Sequence, residues 1–479
     1  MGELSESSRH DRGQASYSME FTREARLYAI RELARRAGAQ EGLFRSWKVT
    51  FDSQWTTIYV QPGTEKCIRL RDVSGDIRIK ASDRRLRVVH RQWMWPPNEL
   101  LRKLVPSFIV PCFFVDSEET IPLFRQVSPF CFECGQDLPL ATLITLSRFE
   151  ETIEKDRDVH GRFESTKSLA RRGGFLTRPI LDELGLGIEQ TLCSLMPNWQ
   201  PTARRLRVKL SHDIDSIGIP FNLRNSVGHI VRRRDLTAAA RDFLAAFGES
   251  NPGYLELVRQ VVQLSLDREL DSAVYWKASP PSEFDSGYDP SHRLVRRMIS
   301  WLSERDVECG IHPGYATFQH PDRLSSEVVR LRSVIGQQQM GGRQHYLRWS
   351  PGTWLDWETC GLSYDSTVGF ADHVGFRAGT CFPYRPWLFA ENREANLLEI
   401  PLIVMDCTLV DYMGLSREQS LATVKECVEH CRAVGGVFTL LWHNSALIEP
   451  TYRDLYAPIL DTLTNTDRFD WKANLKNPW

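Results

Sequence analysis

From about residue 205 onward, short apolar runs alternate with stretches in which apolar residues recur every three or four positions. The runs are RVKLS (207–211), SAVYW (272–276), VECGI (307–311), HYLRW (345–349), LLEIPLIV (397–404) and VFTLLW (437–442). Their length and their content of β-branched and aromatic residues predict buried strands. Between them, YLELVRQVVQLSL (254–266), RLVRRMISWLSE (293–304) and SREQSLATVKECVEHCRAVGG (416–436) carry a helical period. The last opens on Ser416 and Glu418 and closes on Gly435-Gly436, a suitable cap at each end. Strand–helix alternation over this length predicts a parallel sheet or barrel, with chemistry at the C-terminal ends of the strands.

Upstream the pattern is less regular. Residues 48–60 and 104–115 read as strands of a first α/β region, and PLATLITLSRFEETIEKDRDVHGRF reads as a helix followed by a charged loop. The stretch MPNWQPTARRL (196–206), with Pro197 and Pro201, reads as a linker. The expected organisation is a flexible tail (1–18), a smaller α/β domain (19–200) and a strand–helix domain (201–479).

Composition narrows the classes. With 42% hydrophobic and 25% charged residues the chain has the balance of a folded globular protein. Lysine plus arginine (60) and aspartate plus glutamate (61) nearly cancel, which removes any global electrostatic case for nucleic acid. No apolar run has the length of a membrane span or the form of a signal-peptide core, so a cytoplasmic location is expected. Eleven cysteines, an odd number, fit reduced thiols, and both Cys131-Phe-Glu-Cys134 and Cys427-Val-Glu-His430-Cys431 are expected to be ordinary buried or half-buried groups.

The strand ends carry the candidate chemistry. The first runs into Ser211-His212-Asp213-Ile214-Asp215. Carboxylates at i and i+2 of an extended chain project to one side, and like charges that close need a positive partner. A divalent cation supplies one; a helix cap or surface turn is the plainer use of the same residues. The third strand ends in Gly310-Ile311-His312-Pro313 and the last in Leu441-Trp442-His443-Asn444. Three strands that each bring Asp or His to one rim favour a shared site.

These motifs resemble the polysaccharide deacetylase (NodB-homology) domain of carbohydrate esterase family four, over residues from about 205 to 465. Five motifs stand in the family's order: Asp213 and Asp215, His312, Arg348 in HYLRWSPGTW, Asp365 in LSYDST, and Leu440-Leu441-Trp442-His443. The resemblance implies a distorted (β/α) barrel that holds one divalent metal. It implies Asp213 as general base, Asp215 and His312 as ligands, Arg348 orienting the base, Asp365 as a further catalytic carboxyl group and His443 as general acid. GFADHVGFRAGTCFPYRPW, PLIVMDCTL and LLWHN resemble a subgroup linked to cell-surface polysaccharide production, and LSRFEE (146–151) and DVHGRF (158–163) resemble its leader region.

One departure stands out. The family's second motif is His-x-x-x-His, and here Ala316 occupies the second position. His345 and His320 are the substitutes, with His345 favoured because it lies on a strand already at the site. Histidine plus carboxylate suits Zn2+, with Co2+, Ni2+ or Fe2+ as alternatives. Arg377 in GFRAGT reads either as a clamp for a carboxylate or sugar oxygen, or as a buried partner of Asp372 or Asp365. Trp442, next to His443, is the tryptophan expected to stack on a sugar ring, whereas Trp349, Trp354 and Trp387 read as core.

The implied reaction removes an acetyl group from an amino sugar in a polysaccharide or its precursor. Asp213 would take a proton from the attacking water and His443 would protonate the leaving amine. Two alternatives remain open: hydrolysis of a non-sugar amide, and a non-catalytic carbohydrate-binding or scaffold role on the same barrel. The expected partners are a carbohydrate or sugar-precursor substrate and polysaccharide-biosynthesis proteins, with no nucleic acid and no membrane span.

Overall fold

The computed structural model describes residues 21–72, 88–92, 99–104, 109–113, 123–217, 253–463 and 466–476. The expected tail 1–18, and residues 105–108 and 114–115 of the expected strand 104–115, lie outside the described residues.

The described chain begins with the helix Arg23–Arg36, whose first turn is capped by the Thr22 side chain accepting from the Ala25 amide. This helix packs on the helices Leu138–Leu146 and Ile180–Leu195. Beside them lies a five-stranded sheet in the order Lys48–Phe51, Trp55–Tyr59, Cys67–Arg71, Cys131–Cys134, Phe124–Ser128. Its pairings are antiparallel except for Cys67–Arg71 with Cys131–Cys134. Ile58 and Ile68, partners across the second pairing, are both buried.

The second sheet is parallel throughout. It runs from Val404–Met405 through Val437–Leu441, Arg207–Ile214 and Ser272–Trp276 to Glu308–Ile311. Single bridges from Ile311 to Gly342 and from Gly342 to Asp365 carry the parallel direction on to Tyr364–Asp365 and its partner Leu398–Glu399. Arg207–Ile214 is buried from Val208 onward, including its polar residues Lys209, Ser211, His212 and Asp213, because both faces of a central parallel strand are covered. The intervening helices are Tyr254–Leu266, Arg293–Ser303 and Arg417–Val434. Ser416 caps the last in a reciprocal pair with Gln419, and Gly435 ends it at φ 68°.

One expected strand is absent. HYLRW forms a 3-10 turn, His345–Leu347, in which Tyr346 and Leu347 take left-handed φ values of 62° and 53°. The chain reaches that turn by threading Gly341-Gly342 between strands. A Cβ on Gly342 would lie 1.8 Å from the Ile311 carbonyl oxygen, so only glycine fits.

Residues 196–206 contain no helix or strand, yet they are held in place: the Thr202 amide donates to Gly38 O, and Arg204 pairs with Glu189. One apolar cluster extends from Ala25 to Leu463 through both regions, with two smaller clusters beside it. No helix among the described residues is long and apolar enough to cross a membrane.

Candidate metal-binding site

The C-terminal ends of the parallel strands converge on Asp215. Its Oδ1 lies 3.2 Å from His312 Nε2 and 3.2 Å from His345 Nε2. Ligand atoms of these three residues all lie within 4.8 Å of one another. Asp215 Oδ1 and His312 Nε2 are buried and meet no partner in hydrogen-bonding geometry. Unsatisfied buried polar atoms are rare and costly, so two in contact are what a cation-binding donor set presents. The carboxylate-plus-imidazole set therefore fits a divalent metal.

The imidazoles are fixed from behind. His312 Nδ1 donates to Arg343 O at 2.7 Å, which leaves Nε2 facing Asp215. His345 Nδ1 lies 2.8 Å from Asp285 Oδ1. Burial pulls both histidines down: His312 stays low, while the Asp215 and Asp285 carboxylates outweigh burial at His345 and raise it. Burial raises Asp215, but the His345 and His312 imidazoles and the Lys277 ammonium overcome it and hold the carboxyl group well below its usual range.

Asp213, also buried, accepts from Arg343 Nη1 at 2.9 Å on Oδ1. Arg343 is itself locked, since its Nε donates to Ser366 O and its Nη2 to Ser366 Oγ. On the far side of Asp215, His443 Nε2 stands 3.6 Å from Oδ2. His443 Nδ1 is 2.8 Å from Asp406 Oδ1, and its amide donates to Asp406 Oδ2. Burial pulls this imidazole down, but Asp406, then Asp215 and Asp213, push it up to about 10. Asp406, Cys407 and His443 form a second close group of ligand-type side chains.

Lys277 completes the site. Its buried Nζ lies 2.7 Å from Asp285 Oδ1, 3.1 Å from His345 Nε2 and 3.4 Å from Asp215 Oδ1. A cation bound by Asp215 would thus share its carboxylate with an internal ammonium.

Asp213, Asp215, His312, His345 and His443 come together, whereas the other residues singled out from the sequence lie elsewhere. Arg348 does not reach Asp213; its Nε donates to His160 O and its Nη1 to Tyr315 O, and Arg343 takes the place at the carboxylate. The turn at His345–Leu347 carries Arg348 away from that carboxylate. Asp365 sits behind the site, with Oδ1 accepting from the Thr367 amide and hydroxyl. Arg377 is buried against Glu151, with Nε to Oε1 at 2.9 Å and Nη2 to Oε2 at 2.7 Å, and so pairs with neither Asp372 nor Asp365. Trp442 is fully buried and stacks on Tyr456 with centroids 4.9 Å apart, so its ring is core and presents no face to a sugar. His320 is exposed at the start of the helix Pro321–Ile335, outside the cluster. The described cysteines are free thiols, with Cys427 and Cys431 buried.

Lys277, Asp285, Arg343 and Asp406 were not anticipated. Lys277 and Asp406 directly follow apolar runs, SAVYW and PLIVM, so the strand-end argument that found Asp213 and His443 applies equally to them. Asp285 lies in a loop, and nothing in the sequence sets it apart.

Residues 73–197 match a family model described as a family of unknown function (DUF7033). No curated protein matches the chain. Among solved structures, the chain is similar to a candidate polysaccharide deacetylase from Mycobacterium smegmatis, at 14% identity and TM-score 0.39, over 58% of this chain and 91% of that one. A second, from Pseudomonas aeruginosa PAO1, has 14% identity and TM-score 0.37, over 59% and 93%. A third, from Bordetella bronchiseptica and named as involved in O-antigen biosynthesis, has 14% identity and TM-score 0.29, over 58% and 93%.

Proposed function

We propose that this chain is a metal-dependent hydrolase of the polysaccharide deacetylase type, which removes an acetyl group from an amino sugar of a glycan on a distorted (β/α) barrel. One observation carries the reading: Asp215 Oδ1, His312 Nε2 and His345 Nε2 converge, and two of these buried atoms lack a hydrogen-bond partner. Asp215, His312 and His345 would hold the cation, with His345 taking the place of the missing second histidine of the family motif. A bound divalent ion, Zn2+ by the donor set, supplies Lewis acidity toward the acetyl carbonyl and lowers the pKa of an attacking water.

The flanking side chains supply the proton transfers. Arg343 fixes Asp213 through Oδ1, leaving Oδ2 to accept a proton from the water. Asp406 holds His443 at Nδ1, so Nε2 is the atom that gives a proton to the departing nitrogen. That donation is needed because an amide anion is too basic to leave. The products are acetate and a free amine.

Elemental analysis together with acetate release tests the reading. Wild type should hold about one metal per chain, and Asp215→Ala, His312→Ala and His345→Ala should hold none. Asp213→Asn and His443→Ala should keep the metal and lose about 100-fold or more in turnover. Wild-type rates in Asp213→Asn would remove the base from the scheme.

Lys277 favours a second reading, a non-catalytic carbohydrate-binding or scaffold protein, because its ammonium already answers the Asp215 charge at 3.4 Å. Under that reading wild type takes up no added Zn2+, whereas Lys277→Met does.

A further inference from the structure

We infer that the upstream segment Asp158–Phe163, together with the rim of the parallel sheet, forms an aromatic wall that binds the sugar unit next to the one being deacetylated. The substrate is then an oligosaccharide or polymer; this inference rests on the deacetylase reading and narrows it. The wall starts at the metal-binding cluster. His345 packs edge-on to Tyr346 with centroids 4.6 Å apart, and Tyr346 in turn meets His160 at 4.6 Å. His160 Nδ1 lies 3.3 Å from Tyr315 Oη, and Tyr315 stacks on Phe284 at 4.2 Å. Two ring contacts thus lead from a candidate ligand to a residue of the upstream region.

The wall is built to hold its shape. Asp158 accepts from the amides of His160 and Arg162 and from Arg162 Nε, closing the loop into a rigid turn. Arg348 joins that turn to the rim by donating to His160 O at 2.9 Å and to Tyr315 O at 2.7 Å. Tyr346 has left-handed φ, a conformation that costs energy for a bulky residue and that concentrates at binding sites. Arg348 is therefore a positioning residue for this wall.

The exposed groups identify the occupant. His160, Tyr315, Tyr346 and Phe284 are only half-buried, Tyr412 is 47% exposed, and Val159 at the tip of the loop is 94% exposed. Tyr315 has Phe284 stacked on one face and Arg348 over the other, so it offers its hydroxyl edge. His160, Tyr346 and Tyr412 offer partly exposed rings to the C–H face of a pyranose, whose hydroxyls take hydrogen bonds. The neighbouring guanidiniums are already engaged. Arg162 pairs with Asp158 and donates to Tyr412 Oη, and Arg348 is bound to two carbonyls while lying 4.0 Å over the Tyr315 ring. The wall therefore suits a neutral glycan better than the diphosphate of a nucleotide sugar.

Titration calorimetry on the full chain, with tetra-N-acetylchitotetraose, N-acetylglucosamine and UDP-N-acetylglucosamine as probes, tests this. The tetramer should bind at least tenfold more tightly than the monomer. His160→Ala and Tyr412→Ala should each weaken the tetramer about tenfold and leave the monomer unchanged, as expected for loss of one stacking surface. His160→Phe, which restores a ring, should recover most of the tetramer affinity and so separates lost stacking from misfolding. In acetate release, KM for the tetramer should rise in both alanine variants with kcat unchanged. Equal affinity for tetramer and monomer, absence of glycan binding, or a preference for the nucleotide sugar with the same variant sensitivity would each overturn the wall. Tetramer binding that follows this pattern without any acetate release would uphold the wall and defeat the deacetylase reading instead.

Discussion

Asp365 and Glu399 are buried carboxyl groups on neighbouring parallel strands, paired in register. Trp354 Nε1 donates to Glu399 Oε2, and the Thr367 amide donates to Asp365 Oδ1. Burial pushes Asp365 up to about 7; burial, and then the Asp365 charge, drive Glu399 well above the carboxylate range. A carboxyl group raised in the fold keeps its proton there while the unfolded chain releases it. Its contribution to stability is therefore complete below about 4, the unfolded pKa, and is lost as pH rises through about 7. Asp365→Asn should flatten the fall in the urea midpoint between those limits, and an unchanged pH profile would show that the pair does not titrate. At this scale much of the site was legible, because Asp213, Asp215, His312 and His443 each end an apolar run. Arg343 was not: it and Arg348 stand five positions apart, and only the turn between them decides which meets Asp213.

Single elements show where hydrophobic pattern succeeds and where it fails. The strands Arg207–Ile214, Ser272–Trp276, Glu308–Ile311 and Val437–Leu441 are buried on both faces, so their apolar runs stand out from the helices between them. HYLRW is similarly rich in aromatic and apolar residues but forms a turn, because pattern reports burial and is blind to the sign of φ at Tyr346 and Leu347. What does mark the place is Gly341-Gly342, which lets the chain pass against Ile311 and Tyr364 with no room for a side chain. Gly342→Ala should cost about 1–3 kcal/mol by overpacking, read as a lower melting temperature. It should also weaken metal binding, since Arg343 O, one residue on, orients His312. Wild-type stability in that variant would mean that the bridge is more pliant than its geometry.

The whole molecule depends on contacts between regions far apart in sequence. Arg377 and Glu151, 226 positions apart, form a buried bidentate pair that Arg148 also joins. Arg36 and Asp182 form a second buried pair, through the single bond Nε to Oδ1, with Thr380 bonded to both. Removing one member of such a pair strands a buried charge, so Glu151→Ala should destabilise by about 3–5 kcal/mol. The double variant Glu151→Leu with Arg377→Met should recover part of that loss, and denaturant unfolding measures both. LSRFEE and GFRAGT were each noticeable as segments, but one sequence contains no sign that the first supplies the partner of the second. The segment 196–206, expected as a linker, has no helix or strand, in keeping with its prolines, and the bonds of Thr202 and Arg204 to the upstream region are of the long-range kind that one sequence does not display.

The same long-range joins bear on how the chain is made. Tyr28 Oη donates to Arg385 O, 357 positions later, and Arg36 donates to Thr380, 344 positions later. A ribosome adding about 5–20 residues per second delivers those partners tens of seconds after the first helix has emerged. Until then Arg23–Arg36 can meet upstream elements such as Leu138–Leu146 and Ile180–Leu195, and the residues from Thr380 onward join it last. Vectorial synthesis therefore completes this packing late, after most of the chain has emerged.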